Sequence, residues 1–320
     1  MKKSLSLCLF FLFTVITVHS QEKKIRVGVL NGPSCIPAAY MMDNNKIIND
    51  AQVSYEKYAD AQALLPKLVK NEVDIGFLPV NVAAKVFNST NKSILMCAIT
   101  GNGNISLITT DKKIKHFSEL KGHKVSVAGQ GATPDYMFQY LLAQNDVAVG
   151  EEGVVLDYST PNAQIAAHLI SGKTRYAVVP EPFTTVAKSK SSNVVAALDF
   201  QKEFAEFNGI EKNYPLTVMV VRKVFAEENK ELLNAFLENY QTSYNWTVKN
   251  PNKAGLLSEK YDLGLSAQIV TKAIPNCNYT YVPAVQAQKQ VETLLKIFLD
   301  YDQNAFGGVM PSSEFYYSGE

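Results

Sequence analysis

The chain has 320 residues, 47% of them hydrophobic, with 31 Lys and Arg against 30 Asp and Glu and a formal net charge of +1 at pH 7. So even a balance supplies no field for nucleic acid or an anionic membrane surface, and no nucleic-acid partner is expected. The length is enough to bury a large core and to divide into two lobes.

At the N-terminus, Lys2 and Lys3 precede the apolar run Leu5 to Val18, which is too short to span a bilayer comfortably; Val18-His19-Ser20 then places small residues at a cleavage position. Residues 1–20 read as a cleaved signal peptide and predict an exported, periplasmic protein. A lipid anchor at Cys8 is not expected, because cleavage there leaves almost no apolar segment upstream. Losing Lys2 and Lys3 takes the mature balance to about −1. Cys35, Cys97 and Cys277 remain, so at most one internal disulfide forms, and its three pairings stay open.

Short β-rich runs then alternate with helical patterns. Strands are predicted at 25–30, 52–55, 74–78, 94–99 and 104–110, with helices at 36–43, 61–70 and 81–88. The lysine-rich segment after Thr110 reads as a solvated connector and a lobe boundary. A second series follows, with strands at 124–128, 154–158, 176–179 and 193–197 and helices at 134–144, 161–170 and 181–188. A strand at 215–221 leads into helices at 226–248, 251–261, 266–273 and 283–300, with no further strand expected.

This alternation predicts an α/β fold of two lobes, each a mostly parallel sheet flanked by helices. The first lobe is discontinuous, residues 21–110 and 215–320; the second is 111–214; the chain crosses between them twice, near Thr110 and near Tyr214. In open α/β sheets, ligands bind outside the carboxyl ends of the strands, and the loops there become the candidate site. They offer Gly32, Pro33, Ser34 and Cys35; Pro79 and Asn81; Asn102; Gln130, Gly131, Ala132 and Thr133; Asn162; and Glu181. No Arg or Lys stands among them.

Three segments, DIGFLPVNVAAKVFN (74–88), FSELKGHKVSVAGQGATPDYMFQYLL (117–142) and AQIAAHLISGKTRYAVVPEPFTTVA (163–187), together with FGGVMPSSEFYY (306–317), resemble the nitrate/sulfonate/taurine/thiamine-precursor branch of ABC-transporter substrate-binding proteins. The resemblance covers nearly the whole mature chain. It implies a type II periplasmic binding-protein clamshell that closes around a small solute and delivers it to an inner-membrane ABC permease. It also implies a monomer without a cofactor. The ligand loops it implies fall on Gly32 to Cys35, Pro79 to Asn81, Gln130 to Thr133, and Glu181 to Pro182. Ser34-Cys35 departs from the smaller, glycine-rich pair expected there.

The loop GQGATP is not a dinucleotide or phosphate-binding fingerprint, since it lacks the third glycine of GxGxxG and has no Lys. Thr133 is predicted to cap the following helix, with Pro134 at its first position, and the helix start offers N–H groups to a ligand oxygen. Asn81 reads first as a helix cap and second as a ligand contact. Glu181, between two prolines, reads equally as a solvated turn or as a carboxylate meeting a ligand amine or ring N–H. Tyr40 and Tyr136 are expected in the core rather than against a ring, and Asp135 at its helix terminus facing solvent.

His116, His123 and His168 stand without HExxH, GxSxG or an evident acid/base pair, so no catalytic residue and no metal site is predicted. Similar two-lobe folds host lyases and precursor synthases, which is the alternative reading. One carboxylate among amides and hydroxyls suits a neutral or cationic heterocycle slightly better than a strong anion.

Overall fold

The computed structural model describes residues 23–30, 35–209 and 213–319. The predicted signal peptide, loop residues Gly32, Pro33 and Ser34, and the side chain of Cys35 lie outside the described residues.

The first sheet begins with β1 (Lys24–Leu30), α1 (Cys35–Asn44), β2 (Ile47–Ile48) and β3 (Ala51–Tyr58). Asn49 and Asp50, both at positive φ, make the tight turn between β2 and β3, a conformation that Asn and Asp tolerate better than most residues. Asp60 caps α2 (Ala61–Val69), its carboxylate accepting from the Ala63 N–H at 3.0 Å. β4 (Ile75–Pro79), α3 (Val80–Ser89) and β5 (Ile94–Asn102) follow.

The chain then builds a second sheet from β6 (Ile105–Thr109), β7 (Lys124–Val127), β8 (Val155–Asp157), β9 (Tyr176–Pro180) and β10 (Val195–Asp199). Between and after these strands lie α4 (Thr133–Gln144), α5 (Asn162–Ile170), α6 (Phe183–Lys190) and α7 (Phe200–Asn208). α7 is an addition to the expected elements. Asp199 caps its start by accepting from Gln201 and Lys202, and Gly209, at φ +59°, ends it.

The return to the first sheet runs through β11 (Pro215–Arg222), α8 (Lys223–Glu228), α9 (Lys230–Lys249), α10 (Pro251–Lys260), α11 (Ala267–Ala273), β12 (Tyr279–Pro283) and α12 (Ala284–Tyr301). The helix expected over 226–248 is two helices, broken at Asn229. β12 is a strand where only helices were expected; it pairs with β5 at the sheet edge.

Strand order is β12-β5-β11-β4-β1-β3-β2 in the first sheet and β10-β6-β9-β7-β8 in the second. The sheets are mixed. β1 is parallel to β3 and β4, and β7 to β8 and β9, whereas β5, β6, β10, β11 and β12 pair antiparallel. The parallel centre comes from the βαβ units that the alternation revealed; β2 adds a short antiparallel pairing with β3 at the far edge of the first sheet. This corrects the expectation of mostly parallel sheets, within an α/β fold of two helix-flanked sheets.

Residues 104–110 are expected in the first lobe. β6 instead pairs with β9 and β10, so this strand belongs to the second sheet and the first crossing falls at Gly103-Asn104. There the two crossings lie side by side. The Gly103 N–H donates to the Tyr214 carbonyl at 2.8 Å, and the Gly103 carbonyl accepts from the side-chain amides of Asn213 at 2.8 Å and Asn278 at 2.6 Å. A Cβ on Gly103 would stand 2.4 Å from the Tyr214 ring, so only glycine admits this approach.

Apolar residues of both lobes join in one continuous core. Tyr136 on α4 packs tilted against Phe298 of α12 at 4.8 Å, and Tyr140 meets Tyr301 edge-on at 5.9 Å. The aromatic seam holds α4 against α12 and closes one side of the molecule. Tyr40 packs on Trp246 at 4.5 Å. Both tyrosines are packing residues, as expected.

Cys97 and Cys277 are free and buried, so no bridge joins that pair. Burial pushes both thiols up, Cys277 to about 12. With little thiolate and no access, neither should react with a thiol reagent in the native protein at pH 7.5, and both should react after denaturation. Peptide mapping decides this; rapid native labelling at either position would contradict the packing.

Candidate functional site: the interlobe cleft

β4 delivers Pro79 and Asn81 to the first wall of the cleft. Pro79 ends the strand and occupies the N-cap position of α3 without a capping side chain. Asn81, 5% exposed, does not cap the helix either. Its amide reaches across to the second lobe, where Nδ2 donates to the Gly131 carbonyl at 3.3 Å and Oδ1 accepts from the Thr133 hydroxyl at 3.0 Å. The capping role yields to a direct bond between the lobes.

The facing wall is the turn after β7. Gly129 and Gly131 both take positive φ, +73° and +71°, which glycine permits at no steric cost. Ala132, not Thr133, is the N-cap residue, and Thr133 starts α4 with its hydroxyl directed to Asn81. The Gly131 N–H donates to Asp135 Oδ2 at 2.8 Å, and the Gly129 N–H to Asn162 Oδ1 at 3.0 Å. The N–H groups of both glycines are thus engaged internally. Asp135, expected at the surface, is 4% exposed and also accepts from Gln139 at 2.8 Å and from the Tyr158 hydroxyl at 2.6 Å. Gln130 is exposed at the tip of the turn.

A second group forms where β5, β6 and β9 meet. Asn102 ends β5; its N–H donates to the Asn278 carbonyl at 3.0 Å. Glu181 is 6% exposed rather than in a solvated turn, and its N–H donates to the Asn104 carbonyl at 3.0 Å. Burial pushes the Glu181 carboxyl above the ordinary range, and the Thr185 N–H, which donates to Oε2 at 3.1 Å, offsets part of that rise.

Glu181 borders a cavity of about 720 Å³ between the lobes. Asn104, Thr184 and Thr185 line its second-lobe wall with Glu181; Lys272 and Asn276 face them from the first lobe. Sequence reasoning missed Asn104, because it was absorbed into a strand. It missed Thr184 and Lys272 because they come from helices rather than strand-end loops. Lys188 and Lys272, on helices outside the strand-end loops, bring basic side chains to this cavity, and both are exposed.

The NMT1-like family model matches residues 19–258. The chain belongs to the NMT1-like family. Its two-lobed architecture is that of periplasmic binding proteins, and solved structures share it. An ABC transporter from Parabacteroides distasonis is 25% identical, with a TM-score of 0.77 over 93% of this chain and 100% of that one. The periplasmic aliphatic sulphonate binding protein SsuA from Escherichia coli is 16% identical, with a TM-score of 0.73 over 92% of each chain. The periplasmic nitrate-binding protein NrtA from Synechocystis PCC 6803 is 14% identical, with a TM-score of 0.69 over 88% of this chain and 82% of that one. No match was found among curated proteins. Among the described residues of this family member, no helix is long and apolar enough to cross a membrane.

Proposed function

We propose that the protein is the solute-binding component of an ABC importer, exported to the periplasm, working as a monomer and handing a small solute unchanged to a membrane permease. The observation that carries this reading is the pair of interlobe hydrogen bonds, Asn81 donating to the Gly131 carbonyl and accepting from the Thr133 hydroxyl, with a cavity of about 720 Å³ between the same two lobes. Loops at the carboxyl ends of strands from separate sheets meet there, the place where an open α/β fold takes its ligand. Family membership and the folds of the ABC-type binding proteins above support the same role.

The mechanism is a shift between open and closed lobes. A solute that touches both walls binds the closed form better and so populates it. Pro79 and Asn81 supply one wall. Gly131, Ala132 and Thr133 face them from the second lobe, while Glu181 lines the cavity opposite Lys272 and Asn276; Asn102 and Asn162 support the crossing and the turn. No bond of the solute is broken in this scheme.

A thermal-shift series over inorganic anions, sulfonates, amines, pyrimidines and amino acids tests it. A true solute at about 100 times its dissociation constant should stabilise by about 2.7 kcal/mol, a rise of several degrees. It should be recovered intact. A solute returned chemically altered would replace this reading with the lyase or synthase alternative.

A further inference from the structure

The second-lobe wall of the cavity has an uneven hydrogen-bonding inventory. Gln201 is fully engaged, its oxygen accepting from the Ile105 N–H and the Tyr214 hydroxyl and its nitrogen donating to the Ile105 carbonyl and Asp199. Asp199 caps α7. Asn104 uses its amide nitrogen on the Cys277 carbonyl at 2.9 Å, which leaves its oxygen without a partner. The Thr184 hydroxyl has no partner either, and Glu181 presents a buried carboxyl held by Thr185. Asn104, Thr184 and Glu181 are 4%, 5% and 6% exposed.

Groups so buried are destabilising unless something completes their hydrogen bonds. What remains buried on this wall is a carboxyl and an amide oxygen, which accept, and a hydroxyl, which can accept or donate; the exposed Lys188 ammonium at the mouth is the charged donor on the same wall. We propose that the cavity receives its solute through N–H donors, such as an ammonium, an amidinium or an aminated ring, with Glu181 and Thr184 as the accepting pair and Asn104 behind them. The assignment rests on the solute-binding reading above and gives that solute a chemical class. Asn104 also borders a cavity of about 10 Å³, room for a single water, which competes for its oxygen. Thr184 does not line that smaller cavity, and so discriminates best.

Thr184→Val keeps the shape and removes the hydroxyl. In the unliganded protein it should leave the melting temperature unchanged or raise it, because a buried unpaired group is gone. It should nevertheless weaken the solute severalfold. Glu181→Gln should weaken it by about tenfold or more, as expected when a charge-assisted hydrogen bond becomes a neutral one. A residue of merely structural importance would move stability and binding in the same direction.

The experiment is equilibrium dialysis of the purified protein against two mixtures. One holds putrescine, agmatine, cytosine and 2-aminopyrimidine; the other holds nitrate, sulfate, methanesulfonate and ethanesulfonate. The expected result is retention from the first mixture only, reduced in both variants. Retention of anions alone overturns the donor assignment and leaves solute binding standing. Retention from the first mixture that both variants preserve overturns the site. No retention from either mixture overturns the proposal and also counts against the importer reading.

Discussion

Replacing Asp74 with alanine should destabilise the protein by about 3 kcal/mol, a loss that chemical denaturation measures as a lower midpoint at unchanged slope. Asp74 stands at the start of β4, at the opposite end of the strand from the cleft, and is 1% exposed. It accepts from the Arg26 N–H and Nε, both at 2.9 Å, from Arg26 Nη2 at 2.7 Å and from Arg222 Nη2 at 2.5 Å. Removing the carboxylate leaves Arg222, whose side chain is only 12% exposed and whose Nε already lacks a partner, with only the bond from Nη1 to Asn71 Oδ1 at 2.9 Å. Arg26, 41% exposed, can turn to water, which keeps the expected loss at the low end of that for a broken buried pair.

The same group sets part of the acid response. Burial pushes the Asp74 carboxyl up, but hydrogen bonds from Arg26 and Arg222 outweigh it and hold the group below the ordinary carboxylate value. Its stabilisation is therefore complete above the unfolded value of about 3.9 and is lost as pH falls through the lower folded value. A variant as stable as the parent at pH 7 would show that the arginines compensate elsewhere.

Asn81→Ala should act on the other end of β4 and on a different property. It removes both interlobe hydrogen bonds, and Thr133, fully buried, loses its hydroxyl partner. The bias toward closure should fall by about 1–3 kcal/mol, a shift of roughly 5–150-fold in the closed-to-open ratio. Because the solute binds the closed form, affinity should weaken by a comparable factor, and the radius of gyration of the unliganded protein should increase. Stability against denaturant should change little, since neither lobe loses a core contact. Unaltered affinity and radius would remove Asn81 from the cleft.

Periodicity revealed the alternation of strands and helices because both sheets are buried on their inner faces and every βαβ unit repeats the pattern. It failed where neighbours decide. Residues 104–110 read as a strand, but no local signal states which sheet a strand joins; the contact of Gly103 with Tyr214 does. β12 is five half-buried residues, YTYVP, too short for periodicity and held by its pairing with β5. α7 depends on the Asp199 cap and the Gly209 stop, which a reading centred on apolar spacing passed over.

At the site, strand-end loops were identifiable because topology fixes where they point. The roles of single side chains were not. Asn and Thr before a helix are ambiguous between capping and distant bonds, and only the approach of the second lobe turns Asn81 and Thr133 toward each other. Glu181 could not be recognised as buried from PEP alone, since its enclosure depends on the segment around Asn104. Gly32, Pro33 and Ser34 remain proposals from topology and family resemblance.

Native mass spectrometry of the purified protein, followed by identification of any released small molecule, tests the central claim most directly. Solute capture between the lobes predicts a non-covalent complex of one solute per chain that dissociates on activation and returns the molecule unchanged, with the Asn81→Ala protein carrying less of it. A chain that carries no solute and retains none when offered the panel, or that returns one chemically transformed, would contradict it.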